Sequence, residues 1–153
     1  MHGATHAITG MAVGLGAATI AGEHDPARLA LATGIGALSG LAPDWLQINV
    51  PGASRQIRGA FGHRGFSHWI WTPLFISWLV ISTSALNLQN GLILAFLAAW
   101  GSHILLDAFA NGVPAFWPFG RLTLGHVKTG GKLDKATGGA FLVVLVALAV
   151  AEI

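Results

Sequence analysis

Six side chains of metal-ligand type punctuate an otherwise apolar chain: His6, Asp44, His63, His68, His103 and Asp107. Each stands where a hydrophobic segment meets a loop. His103 and Asp107 are four apart in Ser102-His-Ile-Leu-Leu-Asp107, a spacing that puts an imidazole and a carboxylate on one face of a helix. Such a pair can bind one cation, or its carboxylate can bridge two, and the donor types suit zinc, manganese or iron. A hydrogen-bonded pair closing a helix interface uses the same spacing. Gly62-His-Arg-Gly-Phe-Ser-His68 adds two imidazoles around an arginine. His63 and His68 cannot face the same way on one straight helix, but a turn at Gly65 would let both point inward. Arg64 has no acidic neighbour in sequence. Its planar donor fork suits a phosphate oxygen, and the simpler alternative is an interfacial charge near anionic lipid. Asp44 follows Pro43, where an aspartate often serves a cap or turn, so its weight comes from its company. His2 is four residues before His6, in a stretch prone to fraying. His24 and His126 read as solvated.

Charged residues make up 9% of the chain and hydrophobic residues 54%. A soluble domain carries about 25% charged residues, so this chain cannot cover a water-facing surface, and lipid is its natural covering. The formal net charge of +2 gives no argument for nucleic acid. The absence of cysteine excludes disulfides, thiolate zinc sites and a cysteine nucleophile. The length of 153 residues fits one domain, 1–153. No basic region of a secretory signal precedes the first apolar segment, which is expected to be retained because it holds His6.

Five apolar segments must position these groups: Gly3 to Ala21, Ala27 to Leu41, Trp69 to Leu86, Gly91 to Ala108 and Ala136 to Ile153. A spanning helix needs about 20 residues, so the second to fourth require interfacial flanks. The expected fold is an all-α integral membrane bundle of about five helices. Gly10 and Gly14 are four apart, as are Gly36 and Gly40, a spacing that lets two helix backbones approach closely in lipid. Thr72-Pro73 resembles an N-cap with proline in the first turn; otherwise the helix starts near Ser67 and kinks at Pro73. Trp45, Trp69, Trp71 and Phe116-Trp-Pro-Phe119 suit an interfacial aromatic belt.

With five crossings, the amino terminus and the loops after the second and fourth segments share one side. Arg55, Arg58, Arg64, Arg121, Lys128, Lys132 and Lys135 fall there, seven of the eight Lys and Arg, and only Arg28 lies opposite. The positive-inside rule makes that side cytoplasmic. All six ligand-type residues then fall at the cytoplasmic end, where ionisable groups in an apolar protein mark a functional site.

Thr5-His6, Pro43-Asp44, His63-Arg-Gly-Phe-Ser-His68 and His103-Ile-Leu-Leu-Asp107 give the chain a resemblance to a known family. It resembles the bacterial inner-membrane metal-dependent hydrolases of the YdjM-like group, linked in some members to LexA control. That group is distantly similar to zinc-dependent phospholipase C and the P1-type nucleases. The resemblance runs from Thr5 to about Phe119, with His-Arg-Gly-x-Ser-His as its most specific element. It implies a ligand set of His6, Asp44, His63, His68, His103 and Asp107. Members often carry a second aspartate two residues after the first; here that position is Leu46. One well-formed metal site, with a second ion as an option, is therefore expected.

The leading expectation is hydrolysis of a phosphoester, lipid or lipid-linked, at the cytoplasmic face of a bacterial inner membrane. A divalent ion can lower the pKa of water toward about 7. Asp44, His68, His103 and Asp107 would form the primary site, His6 and His63 would hold a second ion or complete the first, and Arg64 would neutralise the phosphate. Membrane lipids are the expected partners, and a homo-oligomer is compatible with the sequence. Two rivals stand beside this reading. One is a haem-binding redox protein with His6 and His103 as axial ligands. The other is a non-enzymatic membrane subunit with a structural metal.

Overall fold

The computed structural model describes residues 1–46, 64–83 and 90–151. Among them the chain forms five α-helices: α1 (Gly3–Ile20), α2 (Pro26–Trp45), α3 (Trp71–Thr83), α4 (Asn90–Ala110) and α5 (Lys132–Ala151). A single 3-10 turn, Phe66–His68, precedes α3, and no strand is present among the described residues beyond one isolated bridge, Val113 to Leu122. The expected all-helical bundle is the observed one, with ends within a few residues of the apolar segments.

The centre of the bundle is the contact of α1 with α2, and it depends on hydrogen atoms at four positions. A Cβ on Gly10 would lie 2.3 Å from the Gly36 carbonyl oxygen, and one on Gly14 would lie 2.9 Å from Gly36 Cα. A Cβ on Gly40 would lie 2.5 Å from the His6 carbonyl oxygen. The backbones themselves are the interface, as small residues four apart permit. α4 packs across both helices, closing one apolar cluster around Leu15, Ala18, Leu29, Ala32, Leu92 and Ala95. A second cluster, Trp100, Ile104, Ala108, Val113 and Ala115, ties the inner half of α4 to the segment after it.

Local signals set the helix ends. Asp25 accepts from Arg28 N at 2.9 Å and Pro26 stands in the first turn, so α2 starts as a capped helix. α3 begins at Trp71, with Pro73 inside the first turn, and His68 lies on the irregular approach. The Thr72 hydroxyl does not cap α3; it donates back to the Phe66 carbonyl. Gly112, at φ 76°, turns the chain out of α4, and a Cβ there would strike Thr123 Oγ1.

α4 and α5 are long and apolar enough to cross a membrane. α1 and α2 have 18 and 20 residues, but glycine and polar residues dilute them. α3, with 13 residues, rises about 20 Å within the described chain, less than the hydrocarbon thickness of about 30 Å. Exposed Leu79, Ile81, Val143, Val146 and Val150 form the apolar outside expected of a lipid-covered bundle. At the other boundary Trp45, Trp71, Phe116, Trp117 and Phe119 are exposed, and Trp69 stacks on Trp117 at 4.2 Å, in keeping with an interfacial belt.

Candidate metal centre

At the end of the bundle that holds the start of α1 and the end of α4, four side chains from three stretches converge: Asp44 from α2, His68 from the 3-10 turn, and His103 and Asp107 from α4. One ligand atom from each of Asp44, His68, His103 and Asp107 lies within 4.8 Å of all the others. His103 Nε2 is 3.1 Å from His68 Nε2. Asp44 Oδ1 is 3.7 Å from both nitrogens, and Asp107 Oδ2 is 3.6 Å from His68 Nε2. Zinc bonds to nitrogen and oxygen of about 2.0–2.2 Å put neighbouring ligand atoms roughly 3.3–3.6 Å apart at a tetrahedral centre. The spacing is that of a coordination shell.

The far side of each imidazole decides what its near side offers. His103 Nδ1 is 2.7 Å from the Gly40 carbonyl oxygen, which can only accept, so Nδ1 carries the hydrogen. Ser67 Oγ donates to the Pro43 carbonyl at 2.7 Å and accepts from His68 Nδ1 at 3.2 Å. Both neutral rings therefore present Nε2 lone pairs to each other. Two facing lone pairs at 3.1 Å repel unless a proton or a cation lies between them. Outer partners that fix ring tautomers in this way are the usual surroundings of metal-bound histidine. The donor set and its orientation fit a divalent ion.

Close helix packing and the site share the same atoms. Gly40 must lack a Cβ because His6 presses on it, and the Gly40 carbonyl in turn orients His103. His6 stacks on His103 with ring centroids 3.8 Å apart. That contact leaves no space for a porphyrin between the two rings, so His6 and His103 are not a haem-ligand pair. His6 Nε2 meets Asp107 Oδ1 at 3.2 Å. Asp107 thus divides its oxygens, Oδ2 toward His68 and Oδ1 toward His6, as a bridging carboxylate would. His6 belongs to the same cluster, one step outside the four. His63 lies outside the described residues.

Arg64 adopts φ 61°, a left-handed backbone uncommon for a side-chain-bearing residue. From there Nη2 pairs with Asp107 Oδ2 at 2.9 Å, and Nη1 donates to the Gly112 carbonyl at 3.2 Å. The amine of Met1 also contacts Asp107. Arg64 therefore stands beside the candidate ligands, within reach of any oxyanion that enters there.

A family model described as YdjM inner membrane protein matches residues 1–152. The chain belongs to that family. No curated protein and no solved structure gives a match. For this YdjM-family chain, the membership and the apolar helices together give a membrane protein whose polar cluster can hold a metal ion.

Four contributors escape sequence reading. Ser67 and Trp100 fix the 3-10 turn, Ser67 through Pro43 and His68, and Trp100 by donating Nε1–H to the Ser67 carbonyl at 3.0 Å. Asp134, fully buried, accepts from Thr5 Oγ1 at 2.7 Å, His2 N at 2.9 Å and Gly130 N at 2.7 Å. It thereby locks α5 to the start of α1, next to His6. The Gly40 carbonyl is the fourth. His2 acts as the N-cap of α1, and His24 and His126 are exposed, as expected of solvated groups.

Proposed function

We propose that this YdjM-family protein is a metal-dependent hydrolase of phosphoesters, acting on lipid or lipid-linked phosphate at the cytoplasmic surface of the inner membrane. The observation that carries the reading is the inward-facing set of Asp44, His68, His103 and Asp107, whose two imidazoles are held in the ligating tautomer by Ser67 and Gly40. Zinc is the ion this donor set favours, with manganese the runner-up.

A bound divalent ion would supply Lewis acidity, polarising a phosphoryl oxygen and acidifying a water. The chain supplies the rest. His68 and His103 donate through Nδ1, so that in the neutral rings Nε2 is the atom offered to the ion. Asp107 divides its oxygens between His68 and His6, so a second ion would have His6 and Asp107 as its first two ligands. Asp44 is the accessible member: its side chain is 27% exposed, against 0% for both histidines and 2% for Asp107. A catalytic metal site keeps one position open, whereas a structural site is closed. Solvent comes nearest the site at Asp44, although the Oδ1 that faces the imidazoles is itself buried, and we read that side as the one from which water would reach a catalytic ion. Arg64 holds its guanidinium against Asp107 Oδ2 at the edge of the site, suited to the charge that builds on phosphate oxygens.

The orientation rests on the basic residues. Lys132 and Lys135 begin α5 beside the amino terminus, and Arg64 and Arg121 lie at the same end, while Arg28 stands at the start of α2. The positive-inside rule then gives a cytoplasmic site.

The deciding experiment measures metal content and phosphodiester turnover of the detergent-purified protein together. The expected result is about one or two equivalents of divalent metal, with turnover lost on chelation and restored by zinc or manganese. A fully metallated protein that is inert across phosphoester classes would establish the non-enzymatic alternative.

A further inference from the structure

An apolar groove of about 410 Å³ opens beside the metal centre, between α3, α4 and the segment that follows α4. Ile70, Leu74, Gly101, Ile104, Leu105 and Phe116 are among its lining residues. The volume falls in the range of about 300–1,000 Å³ usual for small-molecule sites. Its position is what distinguishes it. Ile70 is two residues from His68, and Ile104 adjoins His103. A second apolar groove, at Ile35, Leu92 and Phe96, is set back: its nearest α4 residue, Phe96, precedes His103 by seven residues, about 10 Å along the helix, whereas the first reaches Ile104 and Leu105.

Two arginines adjoin the first groove without lining it. Leu122, another lining residue, pairs with Val113, and the carbonyl of the adjoining Gly112 accepts from both Arg64 Nη1, at 3.2 Å, and Arg121 Nη2, at 3.1 Å. Two guanidinium groups are thus gathered on one oxygen. Asp107 balances Arg64. Among the described residues no carboxylate is in ion-pair contact with Arg121, which is exposed. Like charges brought together are relieved by an anion, and an arginine fork binds phosphate oxygens in pairs. An apolar trough whose lining residue Leu122 adjoins one of such a pair matches one ligand chemistry: an acyl chain joined to a phosphate.

We propose that this groove holds an acyl chain of an anionic phospholipid, whose phosphate is taken by Arg121 beside Arg64. Arg121 is then a specificity-determining residue for the headgroup, and Gly101 keeps the trough open. A Cβ on Gly101 would meet nothing within 4 Å, so the space above it is groove and not packed protein. Calling this lipid the substrate rests on the hydrolase reading, whereas its binding requires neither metal nor turnover.

The test uses the full chain, purified in detergent and presented with long-chain phosphatidylglycerol, long-chain phosphatidylcholine or dihexanoyl phosphatidylglycerol, bound lipid being counted by native mass spectrometry. The wild type is expected to retain one long-chain phosphatidylglycerol and to prefer it to phosphatidylcholine by about tenfold, a difference of about 1.4 kcal/mol. Short-chain lipid and inorganic phosphate should compete poorly. Arg121→Gln should abolish the headgroup preference while keeping the chain. Gly101→Phe should lose bound lipid at unchanged metal content, with Gly101→Leu as the milder version should the larger side chain prevent folding. Equal retention of both lipids by the wild type, unaltered binding in Arg121→Gln, or full retention in both Gly101 variants would mean annular lipid only and overturn the proposal. Complete displacement by inorganic phosphate would overturn the role of the chain. Phosphatidylglycerol that binds as expected but is never hydrolysed would leave this site standing and remove the hydrolase reading alone.

Discussion

The histidines at the centre have their tautomers set by the atoms behind them. His103 leans on a backbone carbonyl and His68 on a serine hydroxyl that is itself held by Pro43. His103→Ala is expected to lose bound metal while the protein stays in the membrane, read by metal analysis of the purified membrane fraction; full metal retention would remove His103 from the site. Ser67→Ala should be subtler. His68 remains, but its ring loses the contact that fixes its tautomer, and metal affinity should fall by about 10- to 100-fold in a competition titration with a chelator. Arg64 is expected to act on the reaction rather than on the metal. Arg64→Ala should lower turnover with metal content intact, and Arg64→Lys should restore only part of it, because an ammonium lacks the planar fork. Loss of metal in Arg64→Ala would instead make the Asp107 pair a structural one.

Among the elements, the α1–α2 contact governs the site. Gly36 touches Gly10 across a gap that admits no methyl group, and Gly40 does the same to His6. Gly36→Ala should force the helices apart at a cost of about 1–3 kcal/mol, seen as a lower unfolding midpoint in detergent and a weakened metal site through the displaced Gly40 carbonyl. Gly34→Ala is the matched control, since a Cβ there meets nothing within 4 Å. Alanine in place of glycine on a helix should leave stability unchanged or raise it by up to about 1 kcal/mol. Equal behaviour of the two variants would show that the close approach contributes nothing to the bundle. α5 depends on a different device, the buried Asp134 that gathers Thr5, His2 and Gly130, which places its first turn beside the start of α1.

For the whole molecule, the polar end and the basic end coincide. The candidate ligands, Arg64, Arg121 and the first turn of α5 share one end of the bundle, and Arg28 belongs to the start of α2. Labelling of single cysteines should find position 132 on the cytoplasmic side and position 28 on the periplasmic side. A periplasmic 132 would reverse the orientation and move the proposed hydrolysis to the other face of the membrane.

Composition by itself determined that this chain belongs in lipid, because 9% charge cannot face water over a whole surface. Periodicity determined two further things. His103 and Asp107 share a face because a helix repeats every 3.6 residues, and the glycine pairs at 10, 14, 36 and 40 mark a contact because small residues four apart form a flat stripe. These are local properties, and the structure keeps all of them. Only the tertiary structure decided how the groups meet. The identity of Asp44 allowed a turn residue as readily as a ligand, and its placement 3.7 Å from two imidazoles settles its company. The partners that set each ring are harder to read: the Gly40 carbonyl carries no signal, because every residue has one, and Ser67 stands inside the His-Arg-Gly-x-Ser-His element without its role of holding His68 being legible there. Asp134 is hidden in the same way: a lone aspartate in the first turn of a helix reads as a surface residue, and only the docking of α5 against α1 buries it. The stacking of His6 on His103, which removes the haem alternative, arises between helices whose separation is set by absent methyl groups. Residue types fix what a side chain is able to bind, whereas distance and orientation are products of packing between segments remote in sequence.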